Sequence, residues 1–232
     1  MHTDAHRAAI DALELLLPQT QCTQCGYAGC RPYAEAIVTQ AAPINRCPPG
    51  GSAGIAILAA HTGRSIVPLD PEAGIERPRR VAHIVAELCI GCTKCIEACP
   101  VDAIAGAPRR LHAVVVEACT GCDLCLPPCP VDCIQMVAPP LGQEGWSRID
   151  AQNARARHQR RAQRIERHQL AQARRLADKA QPHLDELDAS AGLEGDALVA
   201  DAADSAAPTE AARKRAVIEA AVARARARLA AR

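Results

Sequence analysis

The sequence predicts an α+β chain in three parts: a small α-rich unit, a compact unit built from two copies of one motif around short strands, and an α-helical tail. Three observations carry this. All thirteen Cys of the 232 residues lie before residue 134. A Cys-rich run repeats with a period of 30 between residues 81 and 138. Over residues 151–180 Ala, Arg and Gln dominate, and no Cys follows residue 133.

Each element has a local reason. Residues 4–17 read as a helix because Ala8, Ala9, Ala12, Leu13, Leu16 and Leu17 recur at helical spacing and Pro18 stops it. A Cys/Gly segment over 21–30 leads into a helix over 32–39. A loop through Pro43 and Pro48-Pro49-Gly50-Gly51 leads to a short apolar helix over 51–60, which closes a first domain, 1–61. Residues 62–80, with Pro68, Pro71, Pro78, Gly63 and Gly74, read as a linker. In the next domain, 81–140, strands are expected over 81–88 and 111–118, one ahead of each copy of the repeat. Two copies of one unit imply a pseudo-two-fold domain in which each half completes the other's core. The basic Ala/Arg-rich tail, 141–232, is helix-prone over 151–180, broken at Pro182, flexible over 190–208 and helical again over 209–231.

Composition narrows the functional classes. There is no Phe, one Trp and two Tyr, so little apolar area is buried per residue and something else must organise the core. The net charge of +1 hides an asymmetry: residues 1–150 carry 11 Lys+Arg against 15 Asp+Glu, and residues 151–232 carry 16 against 11. The start, Met1-His2-Thr3-Asp4-Ala5-His6-Arg7, does not read as a secretory leader. The most apolar window, 53–60, is far shorter than the ~20 residues a bilayer requires. Disulfides need an oxidising compartment, and an odd Cys count leaves one thiol over. Reduced, metal-bound thiols are expected instead.

The run C-x2-C-x2-C-x3-C-P occurs at Cys89, Cys92, Cys95 and Cys99-Pro100, and again at Cys119, Cys122, Cys125 and Cys129-Pro130. Three closely spaced thiolates wrap three iron corners of a 4Fe-4S cubane, and Gly91 and Gly121 permit the tight approach of backbone to sulfur. The fourth Cys sits on a helical segment leading away and reaches the other cluster. One cluster is therefore expected on Cys89, Cys92, Cys95 and Cys129, and its twin on Cys119, Cys122, Cys125 and Cys99. Structural zinc, the alternative for four Cys, usually takes two well-separated CxxC pairs, and three Cys at steps of three crowd a single ion. The N-terminal set, Cys22-x2-Cys25-x4-Cys30-x16-Cys47, leaves zinc open on spacing alone. Its lack of His, its Gly26 and Gly29, and Pro48 after the last Cys favour a third 4Fe-4S cluster. Cys133 stands where Ala103 stands in the first copy and reads as a packed core thiol, not a ligand. His83 and His112 hold nearly matching repeat positions and read as strand-surface residues.

These readings define the fold class: α+β, with an N-terminal α-rich 4Fe-4S domain, a pseudo-two-fold two-cluster ferredoxin domain and a helical tail. They imply a carrier of single electrons, with iron held through the same twelve Cys. There is no GxGxxG, no Walker A run and no nucleophile–base pair, so no catalytic residue and no small-molecule substrate is assigned.

The stretches Leu17-Pro18-Gln19-Thr20-Gln21-Cys22-Thr23-Gln24-Cys25-Gly26-Tyr27-Ala28-Gly29-Cys30-Arg31-Pro32-Tyr33-Ala34-Glu35-Ala36-Ile37 and Ile44-Asn45-Arg46-Cys47-Pro48-Pro49-Gly50-Gly51, with Cys129-Pro130-Val131-Asp132-Cys133-Ile134, resemble the B subunit of Rnf-type electron transport complexes. The resemblance covers about residues 8–138. It implies a relay between a low-potential ferredoxin-type pool, or a nicotinamide-linked subunit, and membrane partners that move ions. It also implies one N-terminal and two ferredoxin-type clusters on the twelve Cys. Members of that family begin with an apolar anchor; the expectation here is a soluble version lacking it, cytoplasmic or peripheral at the cytoplasmic face of the inner membrane. Redox proteins, as donor and acceptor, are the expected partners, with peripheral docking on a membrane complex. On this reading the chain is an electron carrier rather than a catalyst by itself, or a subunit of an ion-translocating oxidoreductase. One alternative is a stand-alone cytosolic polyferredoxin serving a soluble oxidoreductase. Another is a nucleic-acid or membrane-surface binder with structural or sensory clusters. Nucleic acid is the less expected partner, because the basic run over 151–180 has no aromatics to stack on bases.

Overall fold

The computed structural model describes residues 4–194 and 210–230. They fall into two compact units, Met1–Arg161 and Ala162–Arg232.

The first unit opens with three helices, α1 (Asp4–Leu16), α2 (Cys30–Thr39) and α3 (Gly51–Thr62). α1 turns Ile10, Leu13 and Glu14 inward and stops ahead of Pro18, which cannot supply the next helical N–H. α3 ends on Gly63, whose φ of 70° is the left-handed cap that glycine adopts without a Cβ penalty. Ile10, Leu13, Leu17, Ile37, Ile44 and Leu58 pack around Tyr33, which is fully buried. Its hydroxyl donates to the Pro43 carbonyl at 2.8 Å and accepts from the Arg46 N–H at 3.1 Å, so the buried polar tip is satisfied. With so few large side chains available, three Cys, Cys25, Cys30 and Cys47, complete this core.

The stretch 62–80, expected as a linker, folds back on the helices. Arg64 donates to the carbonyls of Ala42 and Ile37 at 2.6 and 3.0 Å, Asn45 donates to the Pro68 carbonyl at 2.6 Å, and Arg46 pairs with Asp70 at 2.7 Å. A 3-10 turn over Pro71–Ala73 follows, capped by Asp70.

Next come β1 (Val81–Ile84), α4 (Lys94–Ala98), β2 (Ile104–Ala105), β3 (Ala113–Val114) and β4 (Ile134–Val137). The strands are shorter than the sequence suggests. Beyond Ile84 the chain must turn into the Cys89 loop, and 116–118 winds into a 3-10 turn. β1 pairs antiparallel with β4, Val81 opposite Val137 and Ile84 opposite Ile134; β2 pairs with β3, Ile104 opposite Val114. Val81, Ile84, Val101, Ile104 and Ile134 form the core with seven Cys, six of them buried. The helical segment expected before the fourth Cys exists only in the first copy, as α4. In the second, Pro127 and Pro128 withhold the N–H groups a helix requires, and the chain crosses in turns.

α5 (Arg148–Glu194) starts on a reciprocal cap in which the Ser147 N–H and hydroxyl donate to Asp150 at 2.8 and 2.6 Å. Its first turns belong to the first unit: Ala151 and Ala154 are buried, and His158 Nδ1 donates to the Pro100 carbonyl at 3.0 Å. Just ahead of it, Trp146 donates to the Pro18 carbonyl at 2.7 Å under the Arg79 guanidinium. The second unit holds the rest of α5 and α6 (Glu210–Ala230). Pro182 lies inside α5 instead of breaking it; the strong helix formers around it, Ala, Gln, Leu and Lys, carry the helix past one missing N–H. The flexible stretch expected over 190–208 falls mostly outside the described residues. No helix among the described residues is long and apolar enough to cross a membrane.

Candidate metal centres

Cys25, Cys30 and Cys47 are buried in the first core, and Cys22 is buried near Cys30. The loop that carries the first three is wound by left-handed backbone at Gln19, Gln21 and Thr23, an uncommon conformation for residues with a Cβ. Side chains lock it. Gln21 Oε1 accepts the Cys30 N–H at 3.0 Å, Gln21 donates to Gln19 Oε1 at 3.0 Å, and Gln19 donates to the Glu14 carbonyl. Burial, with Cys22 and Cys25 close by, pushes the Cys30 thiol up to about 12. Burial raises Cys47 further, helped by Cys30, Cys22 and Cys25. The four thiols thus share one electrostatic neighbourhood.

In the repeat, Cys99 leaves its own run. It lines one small cavity with Cys119, Cys122 and Cys125, walled by Val101, Ile104 and Met136. Burial pushes Cys122 up to about 11 and Cys125 up to about 12, and in both cases Cys99 and Cys119 add to the shift. Cys95 is raised by burial and then by Cys92 and Cys89. Cys129 lies with Cys133, the two sulfurs 3.5 Å apart, and Cys133 in turn neighbours Cys89.

The repeat extends to the backbone. Gly91 and Gly121 have φ of 69° and 67°, Thr93 and Asp123 65° and 63°, Asp102 and Asp132 51° and 47°. At both glycines the space a Cβ would need is taken by backbone, Arg110 N at 2.6 Å and Arg80 O at 2.4 Å. Backbone N–H groups then reach sulfur: Ala103 N to Cys99 at 3.2 Å and Ala82 N to Cys119 at 3.4 Å.

Burying thiols together disfavours bare thiolates, as the raised values of Cys25, Cys30, Cys47, Cys95, Cys122 and Cys125 record. A cationic iron core relieves that cost, and N–H donors aimed at sulfur complete it. Tetrahedral zinc, with sulfur at ~2.3 Å, draws four sulfurs to within ~3.8 Å of one another. A cubane holds its ligands further apart.

One residue lies elsewhere than the sequence suggests. His112 is not on a surface: it is 3% exposed, with Nδ1 3.3 Å from Cys95 Sγ. His83, one step out of register with it in the repeat, is exposed on β1, as expected. The periodicity of a strand only two residues long could not separate them. Thr20 and Thr120 carried no signal at all, yet Thr120 Oγ1 donates to the Thr20 carbonyl at 3.0 Å and joins the Cys22 loop to the Cys119 loop.

Comparison with known proteins agrees with this chemistry. Residues 82–136 match the family model of the 4Fe-4S dicluster domain, and residues 17–49 match a family model described as “Putative Fe-S cluster”. The fold and these matches define an iron–sulfur protein of electron transport with a ferredoxin-type dicluster domain. Its relatives are more specific. The B subunit of the ion-translocating oxidoreductase complex of Hahella chejuensis is 59% identical over 138 residues, 60% of this chain and 70% of the relative. Its counterpart in Alkalilimnicola ehrlichii is 53% identical over 151 residues, 64% and 81%. That of Azoarcus sp. (strain BH72) is 57% identical over 98 residues, 42% of this chain, and the match spans about half, 54%, of the relative's length. The chain belongs to this family, the B subunits of ion-translocating oxidoreductase complexes. No solved structure matches it.

Proposed function

We propose that the chain is a three-centre electron relay, with 4Fe-4S clusters held by Cys22, Cys25, Cys30 and Cys47, by Cys119, Cys122, Cys125 and Cys99, and by Cys89, Cys92, Cys95 and Cys129. When bound, such clusters each take up and release one electron. The protein's own part is to hold twelve thiolates in three buried sets and to aim N–H groups at their sulfurs. The pairing of β1 with β4 and of β2 with β3 supports a pseudo-two-fold dicluster domain, since a shift of 30 residues carries one pair onto the other.

The Thr120–Thr20 hydrogen bond is the observation that carries the relay. It sets the Cys22 loop directly against the Cys119 loop, so the order along the path is the N-terminal set, then the set completed by Cys99, then the set completed by Cys129. In a complex like that named for its relatives, the chain would pass electrons between two redox proteins. The exposed Arg160, Arg167, Arg174, Arg175 and Lys179 of α5 suit docking on an acidic redox protein or an anionic membrane surface, through a field that salt screens.

Anaerobically purified protein tests this by iron and acid-labile sulfide analysis. Twelve of each per chain are expected from three sets of four Cys. Eight of each, with zinc in the N-terminal set, would refute the third centre.

A further inference from the structure

We propose that His112 and Cys133 set the twin clusters of the dicluster domain apart, making the cluster on Cys89, Cys92, Cys95 and Cys129 the easier to reduce. This rests on the cluster assignment above.

The repeat supplies its own control. Thirty residues before His112 stands Ala82, and thirty before Cys133 stands Ala103. The two alanines offer only backbone N–H groups, to Cys119 at 3.4 Å and to Cys99 at 3.2 Å. On the other side Cys129 likewise receives backbone N–H groups, from Val131 and Cys133. It also has the Cys133 thiol 3.5 Å away, and Cys95 has His112 Nδ1 at 3.3 Å. Two side-chain donors that the repeat does not share therefore fall on ligands of this cluster; on the twin cluster the Thr120 hydroxyl also lies against Cys122, but its proton goes to the Thr20 carbonyl at 3.0 Å.

The direction of each bond follows from chemistry. A ligating thiolate carries no proton, so it can only accept; Nδ1 of His112 and the thiol of Cys133 must donate. Both donors are buried, at 3% and 4% exposure, where water does not compete. Gly106 makes room for the ring: a Cβ there would stand 2.3 Å from His112 Cδ2. The other ring nitrogen, Nε2, is buried without a partner, so the ring's polar contact is with sulfur. Reduction adds negative charge to a cluster and its thiolates. Hydrogen bonds to sulfur strengthen as that charge grows, which favours the reduced form.

One feature acts the other way. The Arg79 guanidinium lies near the twin cluster, but it reaches the Cys119 carbonyl at 3.0 Å and not a sulfur. It is also shared with the carbonyls of Gln143 and Val116. Two donors in direct contact with sulfur outweigh it. Electrons passing from the N-terminal set would then come to rest on the cluster farthest along the path.

The test uses full-length holoprotein with 15N-labelled histidine. Poised so that only the more easily reduced ferredoxin-type cluster is paramagnetic, the wild type should show a weak 15N coupling to a histidine nitrogen by pulsed EPR. EPR-monitored titration should show His112→Leu and Cys133→Ala each lowering that same midpoint, by about tenfold in the reduction equilibrium, or 59 mV for a one-electron couple. His112→Asn, which keeps an N–H near the Nδ1 position, should recover much of the shift. Coupling that appears only when the second cluster is reduced overturns the proposal, as do variants with full iron whose titrations superimpose on the wild type. Should His112→Leu lose iron, the wild-type coupling still decides. Iron analysis separates the two levels: a wild type without two clusters in this domain fails the assignment, and full iron with unmoved potentials fails the role of His112 and Cys133.

Discussion

Arg155 brings Nε and Nη2 to the two carboxylate oxygens of Glu14, each at 3.0 Å, across 141 residues of chain. Arg31 adds Nη1 at 2.8 Å, and Glu14 is only 4% exposed. A buried carboxylate is tolerated because two guanidiniums meet it in a geometry that satisfies both oxygens. One turn further along α5, His158 holds the Pro100 carbonyl, and Arg161 holds Asp102 and the Glu97 carbonyl. The first turns of α5 are thus a strut pinned to α1 on one side and to the dicluster domain on the other.

Cutting the chain should therefore have a position-dependent effect. From the sequence, everything beyond Asp150 looks dispensable, since it holds no ligand. The strut makes truncation after Asp150 destabilising and truncation after Arg161 nearly neutral. Arg155→Ala alone should cost about 1–3 kcal/mol, the low end because Arg155 is partly solvated. Anaerobic denaturant unfolding of the holoprotein measures all three, and equal midpoints for the two truncations would count against the strut.

The same pair predicts an acid-side dependence. Burial alone would raise the Glu14 carboxyl, but the hydrogen bonds and charge of Arg155 and Arg31 leave it below its ordinary 4.5. A carboxylate depressed in the folded state contributes stability above its unfolded value and loses it as pH falls through the folded one. The stability gap between wild type and Glu14→Gln should thus be constant above about pH 5 and close below about 4.5. Taking the difference removes the acid lability of the clusters themselves, and a gap that widens on acidification would contradict the assignment.

The crossover of fourth ligands is open to direct test. Cys99→Ala should abolish or convert the cluster on Cys119, Cys122 and Cys125 while sparing that on Cys89, Cys92 and Cys95; Cys129→Ala should do the reverse. Mössbauer and EPR spectra of the two variants read this. Damage confined to each Cys's own run would refute the pairing.

Two glycines and a third make a matched comparison. Gly121→Ala places a Cβ 2.4 Å from the Arg80 carbonyl oxygen at a φ of 67°, and Gly91→Ala meets Arg110 backbone at 2.6 Å. Each should cost more than about 2 kcal/mol and lower iron content, since backbone cannot move aside as a side-chain tip can. Gly54→Ala, within α3 and with nothing within 4 Å, should stabilise by about 0.5–1 kcal/mol. Thermal unfolding with iron analysis distinguishes the two classes.

By itself the sequence determined the spacing of the Cys, the repeat, the glycines in the cysteine loops and the helices that flank them. Ligand spacing, turn chemistry and helical period act over a few residues, so their signals survive in one dimension. The tertiary structure alone decided that 62–80 straps back on the helices and that β1 finds its partner beyond the second copy. It also decided that His112 is buried on Cys95 while His83 faces solvent, that Thr120 reaches Thr20, and that a basic tail begins as a strut. Each of these is a contact between residues distant in the chain, made because burying a polar group requires a partner wherever the fold brings one. No local pattern records which partner that is.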